Sequence, residues 1–349
     1  MKILYGVQGT GNGHISRARV MAKAMKNKGV DVDFLFSGRP AEHYFDMQEF
    51  GDYQVRKGLS FATDNGRINL LKTAQKTVSR SIFNEVKQLD VRGYDLVLND
   101  FEPVTAWAAK QQGVKSISIS HQAALQHSVP KQGGSWLDEV ILNHFAPVDI
   151  GLGCHWHHFG FPILPPFVEV SPSDIQYGHQ ILVYLPFESA DSIAEFLTPF
   201  DDYQFYVYHS TKPIKPLPEH IQWHGFSRDG FKLHLSQCGG VIANAGFELA
   251  SEAMALGKKL LVKPLIGQFE QSANVAALEL LAAADSMQTL DKSKLTRWLK
   301  APSPKAIRYP QVGDKLVDWL KTGEWQQPQQ LCDQLWEQVE LPENWHKRQ

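Results

Sequence analysis

Short apolar runs alternate with longer stretches whose apolar residues recur every three or four positions, and this alternation occurs twice along the chain. Residues 2–7 form an apolar run that stops at glycines, as expected of a strand buried on both faces. Residues 14–28 follow, with Ile15, Ala18, Val20, Met21, Ala24 and Met25 on one helical stripe and Gly29 as the stop. Further strands are expected at 30–36, 95–99, 115–120 and 149–154, and helices at 69–89 and 103–112. Strands that alternate with helices of this length favour a parallel sheet covered on both faces.

Pro162, Pro165, Pro166 and Pro172 then fall close together. Proline lacks a backbone donor and restricts the residue before it, so a stiff connector is expected here. After it the alternation restarts. Strands are expected at 180–185, 204–208, 240–243 and 259–262, and helices at 189–197, 247–256, 268–284 and 292–299. A glutamine-rich stretch, 325–330, leads to a last stripe of Leu331, Leu335, Trp336 and Val339, which suggests a docked terminal helix. The expected division is 1–165, 175–322 and a tail at 323–349 that packs back on the first domain.

A chain of 349 residues exceeds the usual size of one domain, which agrees with two such units. Lys and Arg number 35 against 37 Asp and Glu, without a long basic run, and this argues against nucleic acid as the main partner. Cys154, Cys238 and Cys332 are far apart and form no CxxC pair, so neither structural zinc nor a disulfide framework is expected. No apolar stretch approaches the roughly 20 residues that span a bilayer. The first strand is too short, and too soon followed by glycines, to read as a secretory signal. A cytoplasmic protein is the simplest expectation, with room for peripheral contact at the inner membrane face.

The loop after the first strand reads VQGTGNGHISRA. Gly9, Gly11 and Gly13 allow close backbone approach, and the helix that follows offers free N–H groups to an anion. A dinucleotide fingerprint would need a further glycine where His14 stands, and usually an acid at the end of the second strand. That region reads Phe36-Ser37-Gly38-Arg39, and an arginine there suits a 2′-phosphate, so an NADP enzyme stays open. His14 opens onto the carboxyl edge of the sheet, where ligands of doubly wound folds sit. Asp100 and Glu102 lie at the same edge. An aspartate beside a histidine orients the imidazole and stabilises its charged form, so His14 and Asp100 form a candidate base dyad. Capping of the following helix by Asp100 is the plainer alternative. His121 is a weaker candidate, expected in a solvated loop.

The densest constellation is CGGVIANAGFELASEAMALGKKLLVKPLIGQFEQSANVAAL. A strand ends at Asn244-Ala245-Gly246 and a helix begins, so backbone amides at Gly246 and Phe247 suit a diphosphate. Glu252 has the chemistry to accept two hydrogen bonds from a ribose diol, and Glu270-Gln271 to do the same for sugar hydroxyls. Glu248 is expected on a solvated helix face. Nothing here resembles a nucleophile, and an inverting transfer needs none: a base on the acceptor and stabilisation of the departing diphosphate suffice.

This passage resembles the donor-binding motif of GT-B glycosyltransferases. It is similar to the HxGxxSxxEA…P…DQ pattern of UDP-glycosyltransferases and to the corresponding region of the lipid-II-forming N-acetylglucosaminyltransferases of family 28. Gly246 matches the motif glycine, Glu252 the ribose-binding acid, Ala253 the alanine after it, Pro264 the proline before the sugar loop, and Glu270 and Gln271 the sugar-binding pair. The GTGNGH loop resembles the first loop of family 28, with His14 on its histidine. Asn244 stands where many relatives have histidine, Leu249 where they have serine, and Glu270 where aspartate is commoner.

The resemblance implies an α/β fold of two Rossmann-like domains and a UDP-sugar donor in the second. It further implies a glycan or lipid-linked hydroxyl acceptor at the first, and donor contacts from Ser189 and Phe226. No metal or cofactor is expected. The expected activity is inverting transfer of a hexose or N-acetylhexosamine in cell-envelope or polysaccharide synthesis. A nucleotide-sugar 2-epimerase of the same fold and a non-catalytic nucleotide-sugar-binding protein remain alternatives.

Overall fold

The computed structural model describes residues 1–59, 80–168 and 178–342, together with the short hairpin strands 63–64 and 67–68. The first domain is built on β1 (Lys2–Gln8), β2 (Asp31–Ser37), β3 (Gln54–Arg56), β4 (Leu96–Asp100), β5 (Ser116–Ser118) and β6 (Ile150–Gly151). These six strands are all parallel and lie in the order β3-β2-β1-β4-β5-β6. The chain thus winds outward from β1 in one direction, returns, and winds out in the other, leaving a crevice between β1 and β4 at their carboxyl ends. The helices α1 (Asn12–Asn27), α2 (Arg80–Gln88), α3 (Pro103–Gln112), α4 (His121–Ala124) and α5 (Trp136–His144) connect them.

The second domain repeats the plan. Strands β9 (Gln180–Tyr184), β10 (Gln204–Tyr208), β11 (Ile221–His224), β12 (Gly240–Asn244), β13 (Lys259–Lys263) and β14 (Asp285–Ser286) lie in the order β11-β10-β9-β12-β13-β14, again all parallel. Between the domains a two-stranded parallel pair forms, β7 (Gly153–Cys154) with β8 (Ile163–Leu164). Helices α6 (Ala190–Leu197), α7 (Arg228–Gln237), α8 (Phe247–Ala255), α9 (Phe269–Leu280) and α10 (Lys292–Lys300) cover the second sheet. Two last helices are α11 (Val312–Thr322) and α12 (Pro328–Trp336).

The period-two alternation of the strands decides which core each side chain joins. From β1, Leu4 joins Leu35, Val97 and Val104 behind the first sheet, whereas Ile3, Tyr5 and Val7 face α1. From β9 and β12, Ile181, Val183 and Ile242 pack with Phe205 and Trp298 behind the second sheet. Leu182, Val241 and Ala243 face the other way, into the same continuous core as Ile3 and Tyr5. One buried core therefore runs through both domains, and α1 and α8 meet within it.

Most expected elements form within a residue or two of their expected ends, and the exceptions have local causes. The strand expected over 115–120 stops at Ser118 because Ser120 caps α4, its hydroxyl accepting from Ala123 N–H at 3.1 Å. The strand expected over 149–154 divides between β6 and β7. Of the range expected as a helix at 69–89, residues 80–89 are described, and α2 takes Arg80–Gln88 of them. The helix expected over 268–284 ends at Leu280, and Ala282 then takes a left-handed φ of 51°. Neither β11 nor α11 was among the expected elements. α11 packs on α1, where Gly313 leaves room for Ala24 and Val20: a Cβ at Gly313 would sit 3.3 Å from each. The Lys28–Asp318 pair at 2.8 Å joins the same two helices, and Trp336 of α12 donates to Ile163 O at 2.6 Å. α11 and α12 thus each contact elements within residues 1–165.

Candidate functional site

The site lies where the carboxyl edges of the two sheets face each other. β1 and β4 are neighbours, and Asp100, the last residue of β4, pairs with Val7. His14 stands in the first turn of α1, directly after the glycine loop. Its Nδ1 meets Asp100 Oδ1 at 2.8 Å. The next residue, Phe101, takes a left-handed φ of 54° and stacks on Phe145 at 4.8 Å. Capping of the following helix falls to Glu102, whose carboxylate accepts from Val104 N–H (2.8 Å) and Thr105 N–H (2.7 Å), as well as from the Ser37 and Thr105 hydroxyls. Asp100 is thereby left free of capping to meet His14, and Glu102 is the cap.

Arg17, one turn beyond His14, was not among the expected site residues. It is buried, and its Nε and Nη2 grip the two Asp100 oxygens at 2.7 and 2.8 Å. Burial opposes ionisation of Asp100, but Arg17 and His14 outweigh it and hold the carboxyl below the ordinary aspartate range. An ionised Asp100 is acceptor-only, so a proton on His14 Nδ1 points at it, and the neutral form of the ring would carry its lone pair on Nε2. Arg17 Nη2 lies 3.3 Å from the same Nδ1, a longer contact between two donors.

Across the cleft, β12 ends at Asn244 and α8 starts at Phe247. Gly246 is the N-cap and brings no side-chain cap, so the first-turn amides of α8 keep their capacity to bind an anion. Asn244 is buried. Its Nδ2 donates to Lys263 O at 3.0 Å and its Oδ1 has no partner among the described residues. Lys263, at the end of β13, reaches Glu188 at 2.6 Å and places a buried ammonium at the same edge. Ser189 is exposed and caps α6, accepting from Ser192 N–H at 3.1 Å. Gln271 Oε1 accepts from Leu265 N–H at 2.8 Å and fixes the loop ahead of α9, while Glu270 Oε2 accepts from Gln122 of the first domain at 2.9 Å.

Glu252, one turn further along α8, lines a cavity of about 170 Å³ together with Tyr184, Phe226, Phe231 and Leu249. Gly13, Ser16, Arg19 and Arg39 close it from the first domain. An adjoining cavity of about 310 Å³ shares Ser16, Arg19, Arg228, Lys232 and Glu252 as wall. The ring of Phe226 is nearly half exposed, with Tyr184 6.2 Å away. Arg39, weighed from the sequence as a 2′-phosphate ligand, lies over the Tyr44 ring at 4.4 Å and donates to Asn12.

The rest of the interface is a buried seam. His121, expected in a solvated loop, is 1% exposed. Its ring stacks on Phe247 with centroids 4.1 Å apart, and its nitrogens meet Cys154 O at 2.9 Å and Asn274 Oδ1 at 2.6 Å. Trp156 donates to Ser251 Oγ at 2.8 Å. Glu248, expected on a solvated face, accepts from Arg17 across the domains. A Cβ on Gly13 would sit 3.0 Å from Glu248 Cγ, so Gly13 serves this interdomain contact, whereas nothing crowds the exposed Gly11. Burial lifts the Glu248 carboxyl to about 7 against the pull of Arg17. Helical spacing places Arg17 on the His14 face, and that signal was readable. Nothing in the sequence shows that Glu248 meets it.

Two parallel sheets of the same winding, facing one cleft with a terminal helix returned to the first domain, define the GT-B class of glycosyltransferases. The chain belongs to glycosyl transferase family 1, whose family model matches residues 1–136 and 161–302, and it is a transferase. Solved structures share the fold. Arabidopsis thaliana UGT89C1 complexed with quercetin aligns at a TM-score of 0.60 and 14% identity, covering 96% of this chain and 98% of that one. The spinosyn forosaminyltransferase SpnP gives 0.55 and 14%, covering 97% and 98%. Acinetobacter baumannii MurG gives 0.51 and 15%, covering 96% and 93%. A comparison with curated protein sequences gave no match. Among the described residues no helix is long and apolar enough to cross a membrane.

Proposed function

We propose that this glycosyltransferase is an inverting enzyme that moves a hexose or N-acetylhexosamine from a UDP-sugar to a hydroxyl of a glycan or lipid-linked acceptor in cell-envelope or polysaccharide synthesis. The observation that carries this reading is the His14–Asp100 contact at 2.8 Å, which leaves Nε2 as a base in the same cleft as the uncapped start of α8. In the proposed step, Nε2 takes the acceptor's hydroxyl proton and the oxygen attacks the anomeric carbon. The bond from that carbon to the diphosphate oxygen breaks, and its electron pair stays on the diphosphate. The α8 amides at Phe247 and beyond, with Lys263 nearby, stabilise that charge. Glu252 binds the ribose diol and Phe226 stacks on the base. Glu270 offers its remaining acceptor capacity to the sugar, with Gln271 holding the loop.

The test is thermal unfolding with UDP. A ligand present at a hundred times its Kd stabilises the fold by about 2.7 kcal/mol. UDP should therefore raise the melting temperature of the wild type, and Glu252→Ala should abolish most of the rise. An unchanged wild-type curve at millimolar UDP refutes the donor assignment. A panel of nucleotide-sugars, scored by product with and without acceptor, then identifies the sugar and separates transfer from epimerisation.

A further inference from the structure

The expected site contained a base dyad and a donor helix, without a residue that joins them. The Arg17 guanidinium occupies that position. It has the two Asp100 oxygens on one side, Glu248 of α8 on another and Cys154 Sγ at 3.2 Å. The arginine is 2% exposed and Asp100 is fully buried, so these charges are not relaxed by water. Gly13, in the turn that carries His14, lies against the stem of the same Glu248. Arginine suits such a place because its planar fork satisfies one carboxylate bidentately and still has a donor for a second.

We propose that Arg17 is a positioning residue that holds Asp100 in register with His14, balances the Asp100 charge beside the imidazole, and is itself seated by Glu248 of the donor domain. Assembly of the base would then be tied to the packing of α8, the helix whose first turn receives the diphosphate. The tie to the donor rests on the function proposed above, whereas the part concerning Asp100 and His14 does not. The charged and titratable groups around the fork are His14, Asp100, Glu248, Cys154 and Tyr5, with Glu252 the next acid along α8.

Nitrogen-15 NMR of the histidine side chains tests this without any substrate, the His14 signals being assigned by their loss in His14→Gln. In the wild type His14 should titrate as the tautomer protonated at Nδ1. In Arg17→Met the uncompensated carboxylates should raise its midpoint by at least about one pH unit. If that variant fails to fold, Arg17→Met combined with Glu248→Leu removes the carboxylate left unpaired, and the same upward shift is expected. A folded variant whose midpoint stays within about 0.3 unit of the wild type and whose tautomer is unchanged overturns the proposal.

UDP supplies the second arm. It should move the His14 resonances of the wild type and leave those of Glu248→Leu in place. Equal movement in both proteins, with UDP raising both melting temperatures, overturns the tie through Glu248. Absence of any UDP stabilisation refutes the donor assignment instead, and the titration alone then decides the role of Arg17.

Discussion

Asp100→Asn removes one charge and almost no volume, which makes it the sharpest probe of the dyad. Three donors converge on the Asp100 carboxylate in the folded protein: His14 Nδ1 at 2.8 Å, Arg17 Nε at 2.7 Å and Arg17 Nη2 at 2.8 Å. An asparagine offers one oxygen and one NH2 group in the same space. If the oxygen stays with Arg17, the NH2 faces His14 Nδ1, and the imidazole must move its proton to Nε2 to accept. The base then has no lone pair where the acceptor hydroxyl arrives. If the oxygen turns to His14, the NH2 faces the guanidinium and Arg17 loses half its support. Breaking one member of a buried charge pair typically costs about 3–5 kcal/mol of stability. The wrong tautomer in a histidine–aspartate pair lowers kcat by about 10⁴. At 1.36 kcal/mol per tenfold, that corresponds to about 5 kcal/mol of transition-state stabilisation. The assay is UDP release from the sugar nucleotide identified by the donor panel, beside chemical denaturation and the UDP-induced melting shift. The expected result is a rate loss of that order with the UDP shift retained, because Glu252 and the α8 amides are untouched. A folded Asp100→Asn enzyme within tenfold of the wild-type rate would refute the role assigned to the dyad.

Two further outcomes follow from the seam. Phe247→Ala removes a ring that is 4% exposed and stacked on His121, and a loss of about 3–5 kcal/mol is expected by denaturation; less than about 1 kcal/mol would show that the seam does not hold the fold. Glu248 has its carboxyl lifted by burial from about 4.3 in an unfolded chain to about 7. Between those values the folded protein keeps a proton that the unfolded chain has released, so this group lowers stability as pH rises through the window. Glu248→Gln should flatten that part of the stability–pH curve, and an identical slope in both proteins would contradict the burial argument.

Much of this architecture was written in local sequence. Apolar runs ending in glycine gave β1 and β12, and the stripe Ile15, Ala18, Met21, Met25 gave α1, because strand and helix periods depend on near neighbours alone. The placement of His14, Asp100, Gly246 and Glu252 at strand and helix ends was legible for the same reason: the carboxyl edge of a parallel sheet follows from chain direction. His14 and Asp100 were legible as residues of one sheet edge, whereas their 2.8 Å contact comes from β1 and β4 lying side by side in the structure.

What no local pattern contained was the pairing of the two domains. Glu248 looked like a solvated face of α8 and His121 like a loop histidine, because each is polar and follows a strand tip or helix start. His121 is buried and Glu248 half-buried, each against a partner more than a hundred residues away, Asn274 and Arg17. The sequence by itself determined two similar parallel-sheet domains and the kinds of side chain at their facing edges. Only the tertiary structure decided that Gln122 would meet Glu270, that Gly13 would make room for Glu248, and that one arginine would join both halves. Such contacts depend on the relative position of two rigid bodies, and that position is set by the sum of a buried interface rather than by the period of any segment.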